Sequence, residues 1–259
     1  MIYILTIAGS DSSGGAGIQA DTKTITSLGA HAITAVTAVT AQNSMGIAET
    51  HRVPVKIISS QIEMVLKDVF PGAVKTGMLY TARCIRKIAW AIKRYKLEKV
   101  VVDPVIRASA GGQLLHVSGV RLLKELLLPL SMVVTPNLYE AGILTGKRIR
   151  TPQEMEEAAE EINGLGPNVV ITGGHLQGDC IDILYDGKHM HHFQGTRIET
   201  ANTHGSGCVF SASLATFMAM DYDLAEATRL AHDFTRRAIE KGYSLGPRAG
   251  VVRPLFMGN

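Results

Sequence analysis

The sequence predicts an α/β fold: a three-layer α/β/α sandwich, with helices on both faces of a mostly parallel central sheet, in one domain over residues 1–259. Short apolar runs recur along the chain, and segments with helical spacing lie between them. No linker rich in Pro, Gly or Ser, and no internal repeat, divides the chain.

The strand candidates are IYILTIAG (2–9), AITAVTAVTAQ (32–42), AVKTGML (73–79), KVVVDPV (99–105), MVVTPN (132–137) and NVVITGG (168–174). Such β-rich runs bounded by Gly, Pro or Asn look like strands covered on both faces. Residues 55–69 place Ile58, Ile62, Val65, Leu66 and Val69 on one helical stripe. Residues 151–166 start at the N-cap candidate Thr151, with Pro152 and Glu154 behind it, and end at glycine. Residues 224–242 form a long amphipathic helix closed by Gly242. Residues 180–195 break the alternation, because Asp186-Gly187 between two strand-like runs signals a hairpin.

Composition narrows the function. Hydrophobic residues are 46% of the chain, enough for a packed core. A formal charge of +3 and 5% aromatic residues give no support to a nucleic-acid partner. Cys84, Cys180 and Cys208 are far apart and match no zinc spacing, and an odd count fits a reducing cytosol. The opening MIYILTIAGSDSSGG lacks the basic and apolar regions of a signal peptide, and no run is long enough to span a bilayer. A cytoplasmic protein without membrane or nucleic-acid partners is expected.

In open α/β sheets, ligands bind beyond the carboxyl ends of the strands. Here those ends carry GSDSSGGAG, Gln42-Asn43, Asp103-Pro104, Asn137 and Gly173-Gly174-His175, which suggests one shared cleft. GSDSSGGAGIQAD (9–21) lacks both the P-loop ending and the GxGxxG order, and by itself reads equally as a capped turn. THGSGC is more telling. Gly205 and Gly207 let backbone amides converge at a helix start, which makes an anion hole for a transferring phosphoryl group. Cys208 lies in the same field, which favours its thiolate; a plain helix-start cysteine is the competing reading. Asp103 and Glu140 are the acids placed to steer Mg²⁺, with a first-turn role as the alternative for Glu140. His189 and His191 share a strand face, but no third ligand is evident, so a solvated hairpin strand is expected there.

The pieces AGSDSSGGAGIQAD, AVTAQNSMG, AVKTGML, VVDPV, VVTPNLYEAGILTG, GGHLQGD and NTHGSGCVFSASLA, in this order, resemble hydroxymethylpyrimidine/phosphomethylpyrimidine kinases of thiamine biosynthesis, within the ribokinase-like superfamily. The resemblance reaches from residue 4 to about residue 240. It implies a homodimeric ATP- and Mg²⁺-dependent kinase. Such an enzyme phosphorylates 4-amino-5-hydroxymethyl-2-methylpyrimidine and then its monophosphate. It implies that Gln42 binds the pyrimidine, with Gly9, Asp21, Met78 and Val105 lining the same pocket. Asp103, Asn137 and Glu140 face phosphates and metal; Thr172 and Gly174 lie on the nucleotide side; Gly205, Ser206 and Gly207 form the anion hole. Cys208 stands where wider relatives have an aspartate base. Two departures stand out. Thr172 replaces the family's lysine, which leaves Arg107 as a candidate cation, and the tail lacks the usual Gly-His-Gly-Pro ending. Three rival readings remain: a pyridoxal kinase of the same fold, a ligand-binding regulator that has lost catalysis, and a cysteine hydrolase pairing Cys208 with His204.

Overall fold

A computed structural model describes residues 1–107, 112–174, 176, 178, 180–248 and 250–254. The chain runs β1 (Tyr3–Asp11), α1 (Gly17–Ser27), β2 (His31–Asn43), β3 (Gly46–Arg52), α2 (Val55–Asp68), β4 (Ala73–Thr76), α3 (Ala82–Tyr95) and β5 (Val100–Val102). It continues with α4 (Val117–Leu122), β6 (Val133–Val134), α5 (Leu138–Thr145), α6 (Pro152–Asn163), β7 (Asn168–Thr172), β8 (Cys180–Tyr185), β9 (Met190–Gly195), α7 (Ser206–Ala219) and α8 (Leu224–Glu240). A π turn and a 3-10 turn extend α4 to Leu130.

The strands form one sheet in the order β3-β2-β1-β4-β5-β6-β7-β8-β9. From β2 to β7 every pairing is parallel; β3, β8 and β9 are antiparallel additions at the two edges. The period of two sorts the central strands cleanly. Leu5, Ile7, Val74, Val100, Val102, Val134, Val169 and Ile171 face one core, with α2, α3, α5 and α6. Their neighbours Ile4, Ala73, Val101, Val133 and Val170 face the other core, with α1, α7 and α8. The three layers follow from strands that are apolar at every position, because both faces must be covered.

Local signals set the helix ends. Thr151 and Glu154 form a reciprocal capping box at the start of α6, as their spacing predicts. Asp223 caps α8 through the amide of Glu226. On α2 only Ile58 and Ile62 of the expected stripe are fully buried; Val65 and Leu66 pack partly buried against them. Asp186-Gly187 does turn β8 into β9, with Gly187 at φ 87°. β3 is an edge strand that the apolar pattern does not reveal. Its sequence GIAETHR is mostly polar and largely exposed, so it carries no buried-strand signature.

Ile88 is fully buried on α3, in the middle of the larger core. Ile88→Ala is expected to cost about 2–5 kcal/mol by urea denaturation, mostly from the cavity left behind. A loss under ~1 kcal/mol is the result that contradicts this packing.

Candidate active site

The parallel strands all end on one edge of the sheet, and the polar loops gather there. The loop after β1 is organised around Asp11. Its carboxylate accepts from the amides of Ser13 and Ala16, from the Ser13 hydroxyl, and from His204 Nε2 at 2.9 Å. The His204 ring and the hydroxyl and amide of Ser13 hold the Asp11 carboxyl below the usual carboxylate range, against the opposing effect of burial. His204 precedes α7, so this contact fastens the first loop to the last one.

Backbone proximity reinforces that join. Gly205 caps α7 at φ 88°, and a Cβ there would stand 1.9 Å from the carbonyl oxygen of Gly15. Only glycine fits both the conformation and the space. Of the expected anion-hole amides, Ser206 is already engaged, donating to the Thr203 carbonyl at 3.1 Å. The next amides of the first turn, at Gly207 and Cys208, have no acceptor one turn back within the helix. Gly207 is exposed, with nothing within 4 Å of its Cβ position, so a ligand can approach closely. The unengaged first-turn amides are thus those of Gly207 and Cys208 rather than those of the whole Gly205-Ser206-Gly207 run.

Gln42, at the end of β2, reaches the same loops. Its Nε2 lies 3.3 Å from His204 Nε2, and its Oε1 accepts from Thr40 Oγ1 at 3.1 Å. An open groove of about 580 Å³ runs along its outer side, lined by Ser12, Gln42, Asn43, Met45 and Ile47 among others. Gly9 and Met78 touch: a Cβ on Gly9 would sit 2.9 Å from Met78 Sδ. Met78 packs with Ala38 and Leu114, and Val105 and Tyr80 lie against them. Val105 is held at φ 37°, in the left-handed region that β-branched residues avoid. Gly9, Met78 and Val105 thus lie together, while Gln42 ends β2 beside Thr40 and His204.

Asp21 is not placed as expected. It has no exposed surface, and both oxygens are taken: Lys75 Nζ donates at 2.9 and 3.0 Å, and Thr6 Oγ1 at 2.5 Å. Its position on the inner face of α1 aims it into the core rather than into the pocket. Burial outweighs its partners and pushes its carboxyl up.

Lys75 is the residue that sequence reading missed. It lies wholly buried in β4, within a run that otherwise reads as apolar. Its ammonium is 3.9 Å from Asp103 Oδ2 as well as bonded to Asp21. Burial opposes its charge, but Asp21, Cys208 and Asp103 together raise its pKa well above that of an ordinary lysine. The signal was present as a single Lys in AVKTGML, a charge that a central strand keeps only if it is paired.

Cys208 is half-buried at the start of α7. The helix-end field does not lower its thiol. Burial pushes it up to about 12, against the opposing pull of Lys75, with Asp21 and Asp103 adding to the rise and the Gly17 amide opposing it. The expectation of an activated thiolate is corrected: desolvation and two nearby carboxylates outweigh a helix terminus. Nor does His204 act as partner base. Its Nε2 is directed at Asp11 and Gln42, which removes the support for a cysteine–histidine hydrolase.

Asp103 follows β5 directly, 7% exposed, accepting from Ser211 Oγ at 3.1 Å. Glu140 is also buried. Its Oε1 accepts from the amide of Ile106 and its Oε2 from Asn137, while Asn137 caps Glu140 in return. So Glu140 has the first-turn capping role that was the alternative reading. The two carboxyls still sense each other. Burial, then the charge of Asp103, pushes Glu140 up to about 8, and burial raises Asp103 as well. Asn137 and Thr172 pair as a parallel bridge, which brings these two expected residues side by side.

Beyond Thr172, Arg197 laces the following loop, donating to the carbonyls of Gly174, Leu176 and Gly178. Arg107 lies over the ring of Tyr139 at 5.5 Å, beside the start of α5. His175 and flap residues 108–111 lie outside the described residues.

The family model described as phosphomethylpyrimidine kinase matches residues 11–253. The chain belongs to the phosphomethylpyrimidine kinase family. This kinase is 43% identical to the hydroxymethylpyrimidine/phosphomethylpyrimidine kinase of Bacillus subtilis, over 95% of this chain and 92% of that one. It is 45% identical to the thiamine biosynthesis bifunctional protein ThiED of Geobacter sulfurreducens over 98% of this chain, but spans only 52% of that longer protein. A crystal structure of phosphomethylpyrimidine kinase from Clostridium difficile superposes with a TM-score of 0.82 at 38% identity, covering 92% of this chain and all of that one. The ADP complex of Bacillus subtilis pyridoxal kinase superposes at 0.91 with 37% identity, covering 98% and 97% of the two chains. The kinase is therefore a phosphotransferase of ribokinase-like fold.

Two outcomes follow from the buried charges. Lys75→Met is expected to lose about 3–5 kcal/mol in denaturant titration, because Asp21 is left unpaired. Adding Asp21→Leu is expected to restore at least half of that loss; equal losses in the single and double variants refute the pairing. Iodoacetamide at pH 8 is expected to spare Cys84 and Cys208 in the native protein, since burial pushes both thiols up to about 12. Rapid labelling of Cys208, read by peptide mass spectrometry, contradicts the raised thiol.

Proposed function

We propose that this kinase transfers the γ-phosphoryl group of ATP to the hydroxymethyl group of 4-amino-5-hydroxymethyl-2-methylpyrimidine, and a second one to the monophosphate. One observation carries the proposal: Gln42, Asp103 and the first-turn amides of α7 converge on one sheet edge. A primary amide presents a donor and an acceptor side by side, matching an aminopyrimidine edge. Oε1 accepts from Thr40 Oγ1, and Nε2 lies beside His204.

Transfer through a loose transition state needs alignment and charge stabilisation more than covalent chemistry. The amides at Gly207 and Cys208 face the migrating group. Asp103 and Glu140, buried with their carboxyls pushed up, are an acid pair short of positive charge, which fits a hydrated divalent cation held mainly by Asp103. Mg²⁺, when bound there, neutralises phosphate charge. Arg107 and Arg197 stand on the nucleotide side, where the family lysine is replaced by Thr172.

Cys208 accepts the hydroxyl proton. Only its thiolate can do so, and burial keeps that form scarce; Lys75 makes it reachable. Since the working pH lies below a thiol pushed up to about 12, kcat is expected to rise between pH 7 and 9, approaching about tenfold per unit. Cys208→Ser is expected to lower kcat at pH 8 by about 10²-fold and to flatten the profile. Near-full turnover of Cys208→Ser with a flat wild-type profile removes the base role. Phosphorus NMR of one reaction with ATP, Mg²⁺ and the pyrimidine checks both steps, with mono- and diphosphate expected in succession. Faster turnover of pyridoxal in competition overturns the choice of substrate. Family membership also supports a cytosolic homodimer. Among the described residues no helix is long and apolar enough to cross a membrane.

A further inference from the structure

The β8–β9 hairpin lies at the far rim of the molecule. β8 runs antiparallel to β7, so the turn after Tyr185 emerges at the edge of the sheet opposite the cleft. Three potential ligands meet at that turn: Asp186, His189 and His191. Asp186 Oδ1 accepts from the amides of Lys188 and His189, at 2.8 and 2.7 Å. These bonds fix the carboxylate in place.

The other oxygen, Oδ2, points at both imidazoles. It lies 3.5 Å from His189 Nδ1 and 3.5 Å from His191 Nε2, and all three donor atoms fall within 4.8 Å of one another. His191 Nε2 is buried and makes no hydrogen bond. Among the described residues its polar neighbour is Asp186 Oδ2 at 3.5 Å, a long approach that leaves the nitrogen able to take a ligand's place on an ion. Two ligands each ~2.1 Å from a tetrahedral ion stand about 3.4 Å apart, which is close to both observed separations. The neighbouring His192 faces the opposite side and pairs with Glu156 at 2.6 Å, so it does not compete and helps fix the strand.

We propose that Asp186 Oδ2, His189 Nδ1 and His191 Nε2 bind one divalent transition-metal ion, with water completing the coordination. The donor set selects the class. Imidazole nitrogens suit Zn²⁺, Ni²⁺, Co²⁺ or Cu²⁺, whereas Mg²⁺ prefers oxygen donors and has its place near Asp103. The site joins the turn to β9 and clips the outermost hairpin of the sheet. Its distance from the cleft makes it a structural site, independent of phosphoryl transfer.

The test uses the untagged full chain, stripped of metal with chelator, and Zn²⁺ as the probe in calorimetry. Wild type is expected to bind one ion in a step that His189→Ala and His191→Ala each weaken at least tenfold. Asp186→Asn is expected to weaken it about as much. Zn²⁺ is expected to raise Tm in wild type by several degrees, reversibly with EDTA, and to leave His189→Ala unchanged. With Cu²⁺ as a second probe, electron paramagnetic resonance is expected to show two coordinated nitrogens, falling to one in His191→Ala. His189 is mostly exposed in a turn, so its variant keeps the fold even if the His191 variant does not. Kinase activity of His189→Ala is expected to match wild type. Unchanged Zn²⁺ affinity in both histidine variants overturns the site, as does a Cu²⁺ spectrum without nitrogen splitting.

Discussion

A single ammonium, sealed beneath the cleft, organises the chemistry above it. Lys75 sits in β4 at a strand position with no exposed surface. It is tolerable only because Asp21 from α1 meets it at hydrogen-bond distance and Asp103 from β5 lies just beyond. The same charge opposes desolvation of the thiol on α7. Four elements are thereby tied through one point: α1 and α7 from one layer, and two neighbouring strands. Packing alone would stack those layers. The ion pair selects the arrangement in which the carboxyl end of β5 and the start of α7 face each other.

The same burial pushes up the carboxyls of Asp21, Asp103 and Glu140 and the thiol of Cys208, and Lys75 offsets it in part at Asp21, Asp103 and Cys208. The two acids near the end of β5 and the start of α5 are therefore a place where added positive charge is favoured. The groove beside Gln42 is open.

Much of this was legible in the residues. β1, β2, β4, β5, β6 and β7 are written as apolar runs, and Thr151, Glu154 and Asp186-Gly187 announce a cap and a turn. The cleft's location followed from where polar residues end those runs. What escaped had physical reasons. β3 is polar on an exposed edge and has no apolar code to read. Asp21 looked like a pocket residue because its motif is rich in hydroxyls, whereas one turn of helix carries it inward to Lys75. For the thiol, the helix dipole and a plain helix-start cysteine stood as competing readings, because burial depth and the two neighbouring carboxylates are properties of the fold. His189 and His191 lacked a third ligand on paper. The turn itself brings Asp186 around to them.

The last described stretch of chain also belongs to the cleft. Val251 bridges to both His204 and Tyr243, and a side chain on Gly15 would strike Val251 Cγ1 at 2.5 Å. The first loop, the start of α7 and the tail therefore lock together, although they are far apart in sequence. A change that loosens the tail is felt at the other two, so residues that never approach the cleft's acids still set the shape of its rim.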